Sequence, residues 1–140
     1  MTDSTQSTHP ARAAGRTFIR YWLPVAALCA LIFMQSAYPP PGQIPPWPHI
    51  DKLLHLCVYG LLGALICRAL STIGPLNANK WRLLVCAVVL TTLYGLSDEW
   101  HQSFVPGRDA SAADLLADFA GALVGSAAGL KLLLHFRPLR

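Results

Sequence analysis

Six of the seven acids in this chain, Asp51, Asp98, Glu99, Asp109, Asp114 and Asp118, fall close to a histidine and two cations that could work with them. Asp51-Lys-Leu-Leu-His55 spaces its ends four apart, so Asp51, His55 and Tyr59 share one helical face. Asp98-Glu-Trp-His-Gln102 sets Glu99 and Gln102 three apart on another. The connection that follows holds Arg108 behind a Pro-Gly turn and leads through Ser111 to Asp114 and Asp118. An imidazole among carboxylates can move a proton or hold a divalent cation, and Lys52 and Arg108 suit a phosphate or carboxylate. The candidate binding set is therefore Asp51, Lys52, His55, Glu99, Gln102, Arg108, Asp114 and Asp118, with His55 and Glu99 the candidates for catalysis. Asp98 and His101 point elsewhere if that helix continues and are expected at the interface.

Several of these residues also have a plainer use. Asp51 suits a helix N-terminus and Lys52 can snorkel to headgroups. Ser111 and Asp114 have the spacing of a capping box, with Asp in place of Glu or Gln. Arg108 could simply pair with Glu99 or Asp114. His55 and Asp118 lie one turn inside apolar runs, where an unpartnered polar group is costly, so each should face a partner.

The elements that must position these groups are apolar. With 54% hydrophobic and 13% charged residues, the 140-residue chain concentrates its apolar positions into four runs, Phe18 to Ala37, Lys52 to Leu70, Trp81 to Ser97 and Ala112 to Leu134. Each approaches the roughly 20 residues that cross about 30 Å of hydrocarbon. The third is short, so its ends are expected at the headgroups. Pro24 is expected to kink the first run or mark a start at Leu23. A cleaved signal peptide is the competing account of the first run, but the apolar stretch is long for one and Gln35 sits where a small residue is wanted.

Nine of the eleven Lys and Arg flank one side of these runs, leaving only Lys52 and Arg108 on the other. That bias predicts both termini in the cytoplasm and the acid-rich ends outside. Trp22, Trp47, Trp81 and Trp100 fall at or just beyond run ends, as amphipathic indoles prefer. The expected architecture is an all-α four-helix transmembrane bundle over residues 17–137 in the cytoplasmic membrane, preceded by a disordered cytoplasmic tail over 1–16. Gly121, Gly125 and Gly129 form a doubled small-xxx-small stripe for close helix approach. Six of eleven prolines, between Pro39 and Pro48, stiffen the first outer connection. The net charge of +4 comes without a basic run or interleaved stacking aromatics, so nucleic acid is excluded as a partner. The four cysteines form no C-x-x-C pair and read as apolar fillers.

The order Asp51-Lys-x-x-His55, Glu99-x-x-Gln102, Val-Pro-Gly-Arg108 and Asp114 ahead of a Gly-x-x-x-Gly helix resembles the VanZ-like family of small bacterial membrane proteins. The resemblance covers about residues 48 to 130. It implies a four-helix membrane protein of a family whose named member is associated with low-level teicoplanin resistance. Asp118 departs from the Asn common in that family, which adds metal affinity or requires a proton.

Three functions stay open. One is an outward-facing pocket for the anionic headgroup of a membrane lipid or cell-envelope precursor. Another is an intramembrane hydrolase or transferase of a phosphate-containing lipid, using a divalent metal or acid and base groups; no G-x-S-G-like serine, H-E-x-x-H, paired-Glu or tripartite phosphatase motif supports it. The third is a structural scaffold assembling as a homo- or hetero-oligomer. The sequence demands no cofactor, and a divalent metal is the one candidate.

Overall fold

The computed structural model describes residues 15–38, 50–108 and 110–136. The proline-rich segment with Trp47 and His49, Asp109, the tail through residue 14 and the last four residues lie outside them. Four long helices run up, down, up and down: α1 (Gly15–Ser36), α2 (Ile50–Leu70), α4 (Lys80–Gln102) and α5 (Ala112–Phe136). A short helix, α3 (Gly74–Asn77), joins α2 to α4. All four long helices are apolar and long enough to cross a membrane. The described residues contain no strand.

Pro24 explains the start of α1. Proline has no N–H to give to the carbonyl four residues back, and the helix widens into a π turn at Phe18–Trp22 before resuming as an α-helix at Leu23. The Leu23 N–H donates to the Phe18 carbonyl across that turn. The third span is longer than its hydropathy suggests. Asn79 caps α4 by accepting from the Trp81 and Arg82 N–H groups, and the helix runs on through Asp98, Glu99 and Gln102. Those polar residues continue the helix because they are turned inward.

The bundle is held at its centre by α2 against α5. A Cβ added at Gly121 would strike the Leu56 carbonyl, one at Gly125 the Gly60 carbonyl, and one at Gly129 would sit 3.1 Å from Ala64 Cα. On the facing helix, a Cβ at Gly63 would come within 2.9 Å of the Ala122 carbonyl and Ser126 Oγ. The glycine stripe is therefore met by small residues in register, and the two backbones touch directly. The larger apolar core of Tyr59, Leu62, Ile66, Leu70, Leu83 and Ala87 lies beside this seam. Mid-helix residues such as Leu61, Val85, Leu93 and Val124 are exposed. An apolar exterior around a polar interior is the arrangement hydrocarbon selects.

The outermost helix is α1, with only Ile32 and Ser36 buried. Tyr94 of α4 donates its hydroxyl to the Cys29 carbonyl at 2.6 Å, and Phe33 stacks on His101 at 4.5 Å. At the opposite end, Arg68 of α2 lies 4.6 Å over the Tyr21 ring. Such contacts fix the helix without close backbone packing.

Candidate functional site

The start of α2, the end of α4 and the start of α5 meet at one end of the bundle. His55 and Asp118 are its centre. The Nδ1 of His55 lies 2.8 Å from Oδ1 of Asp118, with the ring N–H donating and the fully buried carboxylate accepting. Gly95 of α4 makes room for this carboxylate, since a Cβ there would lie 2.8 Å from Asp118 Oδ2. No described residue bonds that Oδ2.

Glu99 approaches from α4, buried to 6% exposure, and its Oε2 accepts the Ser111 N–H at 2.9 Å. Its Oε1 is buried and bonded to no described residue. One ligand atom each from His55, Glu99 and Asp118 lies within 4.8 Å of the others. At the rim, Lys52 Nζ is held between Asp51 at 2.7 Å and Asp114 at 3.0 Å. The Asp51 side chain is 58% exposed, so it turns to the surface rather than to the buried trio.

The capping box is half formed. Ser111 Oγ accepts the Ala113 N–H at 3.2 Å, but Asp114 reaches Lys52 and the Ser111 N–H goes to Glu99. The cap is thus shared between two helices, and it ties the acid of α4 to the entry of α5.

Two sequence expectations need correction or closer placement. Asp98 is not interfacial: it is 5% exposed, and its Oδ2 accepts from the Tyr59 hydroxyl at 3.1 Å and from Gln102 Nε2 at 3.0 Å. Gln102 also donates to Ser36 Oγ of α1 at 3.3 Å. It therefore serves Asp98 and the α1 contact, although it shares the Glu99 face by spacing. Arg108 donates through Nε to the Tyr38 carbonyl at 2.9 Å and through Nη2 to the Gln35 carbonyl at 2.7 Å. Its guanidinium satisfies the open carbonyls at the end of α1 and complements that helix terminus, rather than pairing with Glu99 or Asp114.

Tyr59 and Gly95 belong to the site but were not among its sequence candidates. Tyr59 shared a helical face with His55 in the sequence, and its ring lies nearly parallel to the imidazole at 6.1 Å. Gly95 carried no signal, because the space it leaves is filled by a side chain from another helix.

A model of the VanZ/LLP1 family matches residues 5–134, nearly the whole chain. The chain belongs to the VanZ/LLP1 family. No curated protein and no solved structure matches it. This VanZ/LLP1 protein is a multi-pass membrane protein by its family and its four apolar helices. Its interior carries an imidazole with two buried carboxylates, able to hold a cation or relay a proton.

Proposed function

We propose that this VanZ/LLP1 protein binds the phosphate-bearing headgroup of a membrane lipid or envelope precursor at the carboxylate end of the bundle. The observation that carries the reading is Lys52, fixed at the rim by Asp51 and Asp114 with a third of its side chain exposed, one helical turn from His55. A headgroup arriving at the lipid–water boundary meets a held positive charge first, with the buried trio behind it. Asp51 and Asp114 orient that charge, so removing either loosens the rim without emptying it.

The reading predicts that protein purified in mild detergent retains an anionic lipid detectable by native mass spectrometry. Lys52→Ala should reduce that retention severalfold. Arg108→Ala should leave it unchanged and lower Tm, because its contacts are with the end of α1. Equal retention in wild type and Lys52→Ala would refute the assignment of Lys52.

Orientation belongs to the same proposal: the Lys and Arg bias supports an extracytoplasmic site in the cytoplasmic membrane. Reporters fused at Gly42 and Arg140 should read outside and inside respectively, and the reverse pair would overturn it. A link to glycopeptide resistance predicts lowered teicoplanin susceptibility when the wild-type chain, but not Lys52→Ala, is expressed.

The His55–Asp118 pair favours one second reading, hydrolysis or transfer at the phosphate. With Nδ1 held by Asp118, Nε2 is the nitrogen left to accept a proton. Phosphate release from a polyprenyl phosphate substrate that is absent in His55→Gln would establish it.

A further inference from the structure

We infer that His55, Glu99 and Asp118 form a binding site for one divalent cation of the Mn²⁺ or Zn²⁺ class. The inference deepens the headgroup reading and rests on it only for what the ion does, which is to meet the phosphate oxygens.

Two carboxylates come to this point from different helices, α4 and α5, and each is at least nine-tenths buried. Each keeps one buried oxygen, Glu99 Oε1 and Asp118 Oδ2, that no described residue bonds. Buried carboxylate oxygens in an apolar bundle need a proton or a cation. Lys52 does not fill that role: it is bonded to Asp51 and Asp114 at the rim, outside the trio. Asp98, the next acid, also keeps a buried, unbonded Oδ1, but its Oδ2 is bonded to Tyr59 and Gln102 and it is not part of the trio.

The spacing suits an ion. Bonds of about 2.1 Å place neighbouring ligand atoms about 3 Å apart in an octahedron. The 2.8 Å between His55 Nδ1 and Asp118 Oδ1 is already near that value. The whole trio lies within 4.8 Å, so Glu99 has to swing in by about an ångström or more to close it around an ion. One imidazole with carboxylate oxygens matches a hard to borderline divalent metal, and three protein ligands leave positions open to phosphate oxygen or water. Ligation through Nδ1 releases the proton shared with Asp118. Glu99 is steadied by the Ser111 N–H, an outer contact of the kind that orients a metal ligand.

The test is titration of the EDTA-washed full chain in detergent with Mn²⁺ alone, read by electron paramagnetic resonance. One tight Mn²⁺ per chain is expected, showing coupling to a single imidazole nitrogen in pulsed spectra. Zn²⁺ should displace it. Glu99→Gln and Asp118→Asn, which keep side-chain shape, should weaken binding at least about tenfold. Absence of a tight site in wild type, or tight binding unchanged in both variants, would overturn the inference. The nitrogen coupling is measured on wild type, so the test survives a variant that fails to fold. Because no lipid is added, lipid retained by metal-free protein with no Mn²⁺ site would sink the metal and leave headgroup binding standing. Tight Mn²⁺ in a chain that retains no lipid would do the reverse.

Discussion

Gly125→Ala is expected to abolish the native bundle or lower its Tm far more than any other single methyl addition along α5. The new Cβ would fall on the Gly60 carbonyl, which belongs to the backbone of α2 and cannot rotate away. Ordinary overpacking costs about 1 to 3 kcal/mol because side chains adjust. Here the helices themselves must separate, and the loss should exceed that range. The control lies on the other side of the same seam: a Cβ at Gly60 would meet the Gly121 carbonyl at 3.5 Å, an ordinary contact. Gly60→Ala should therefore leave Tm within a few degrees of wild type. Thermal unfolding and size-exclusion profiles in detergent check both variants, and equal behaviour of the two would refute the direct contact of α2 and α5. Separation of the helices would also move His55 away from Asp118, so the seam sets the geometry of the site.

Replacing Asp118 by leucine is the second large effect. It removes the partner of His55 Nδ1, leaving an imidazole donor unsatisfied at a cost of roughly 1 to 3 kcal/mol. It also forces a branched side chain into a space that Gly95 and Tyr59 fit to a carboxylate. Asp118→Asn should cost less than Asp118→Leu, because its shape is retained and its amide oxygen can still accept from His55 Nδ1. Differential scanning of the two variants beside wild type decides the matter. If Asp118→Leu unfolds at the wild-type temperature, Asp118 does not hold His55 in place.

The residues that nature spaced along single helices were legible from the chain alone. Asp51, His55 and Tyr59 share a face by counting, and the Gly121, Gly125 and Gly129 stripe announced a close partner by its period. Spacing alone puts Asp98 off the Glu99 face and so at the interface. That argument assumed one buried face, whereas α4 is packed against α5 on one flank and α1 and α2 on others, so adjacent residues are both buried. Arg108 was recognisable as a neighbour of the helix ends but not as a cap, since the end of α1 is distant in sequence and near only in space. The apolar run ends at Ser97 while α4 continues to Gln102, because hydropathy counts a buried acid as an exit from the membrane.

Composition and periodicity therefore determined the four apolar helices and the gathering of acids at shared helix ends, because these depend on local spacing and on transfer from water to hydrocarbon. Which carboxylate meets which partner was decided by tertiary structure alone. His55 with Asp118, Glu99 with Ser111 and Asp98 with Tyr59 each join different parts of the chain, and their distances follow from how closely the glycine seam lets α2 and α5 approach.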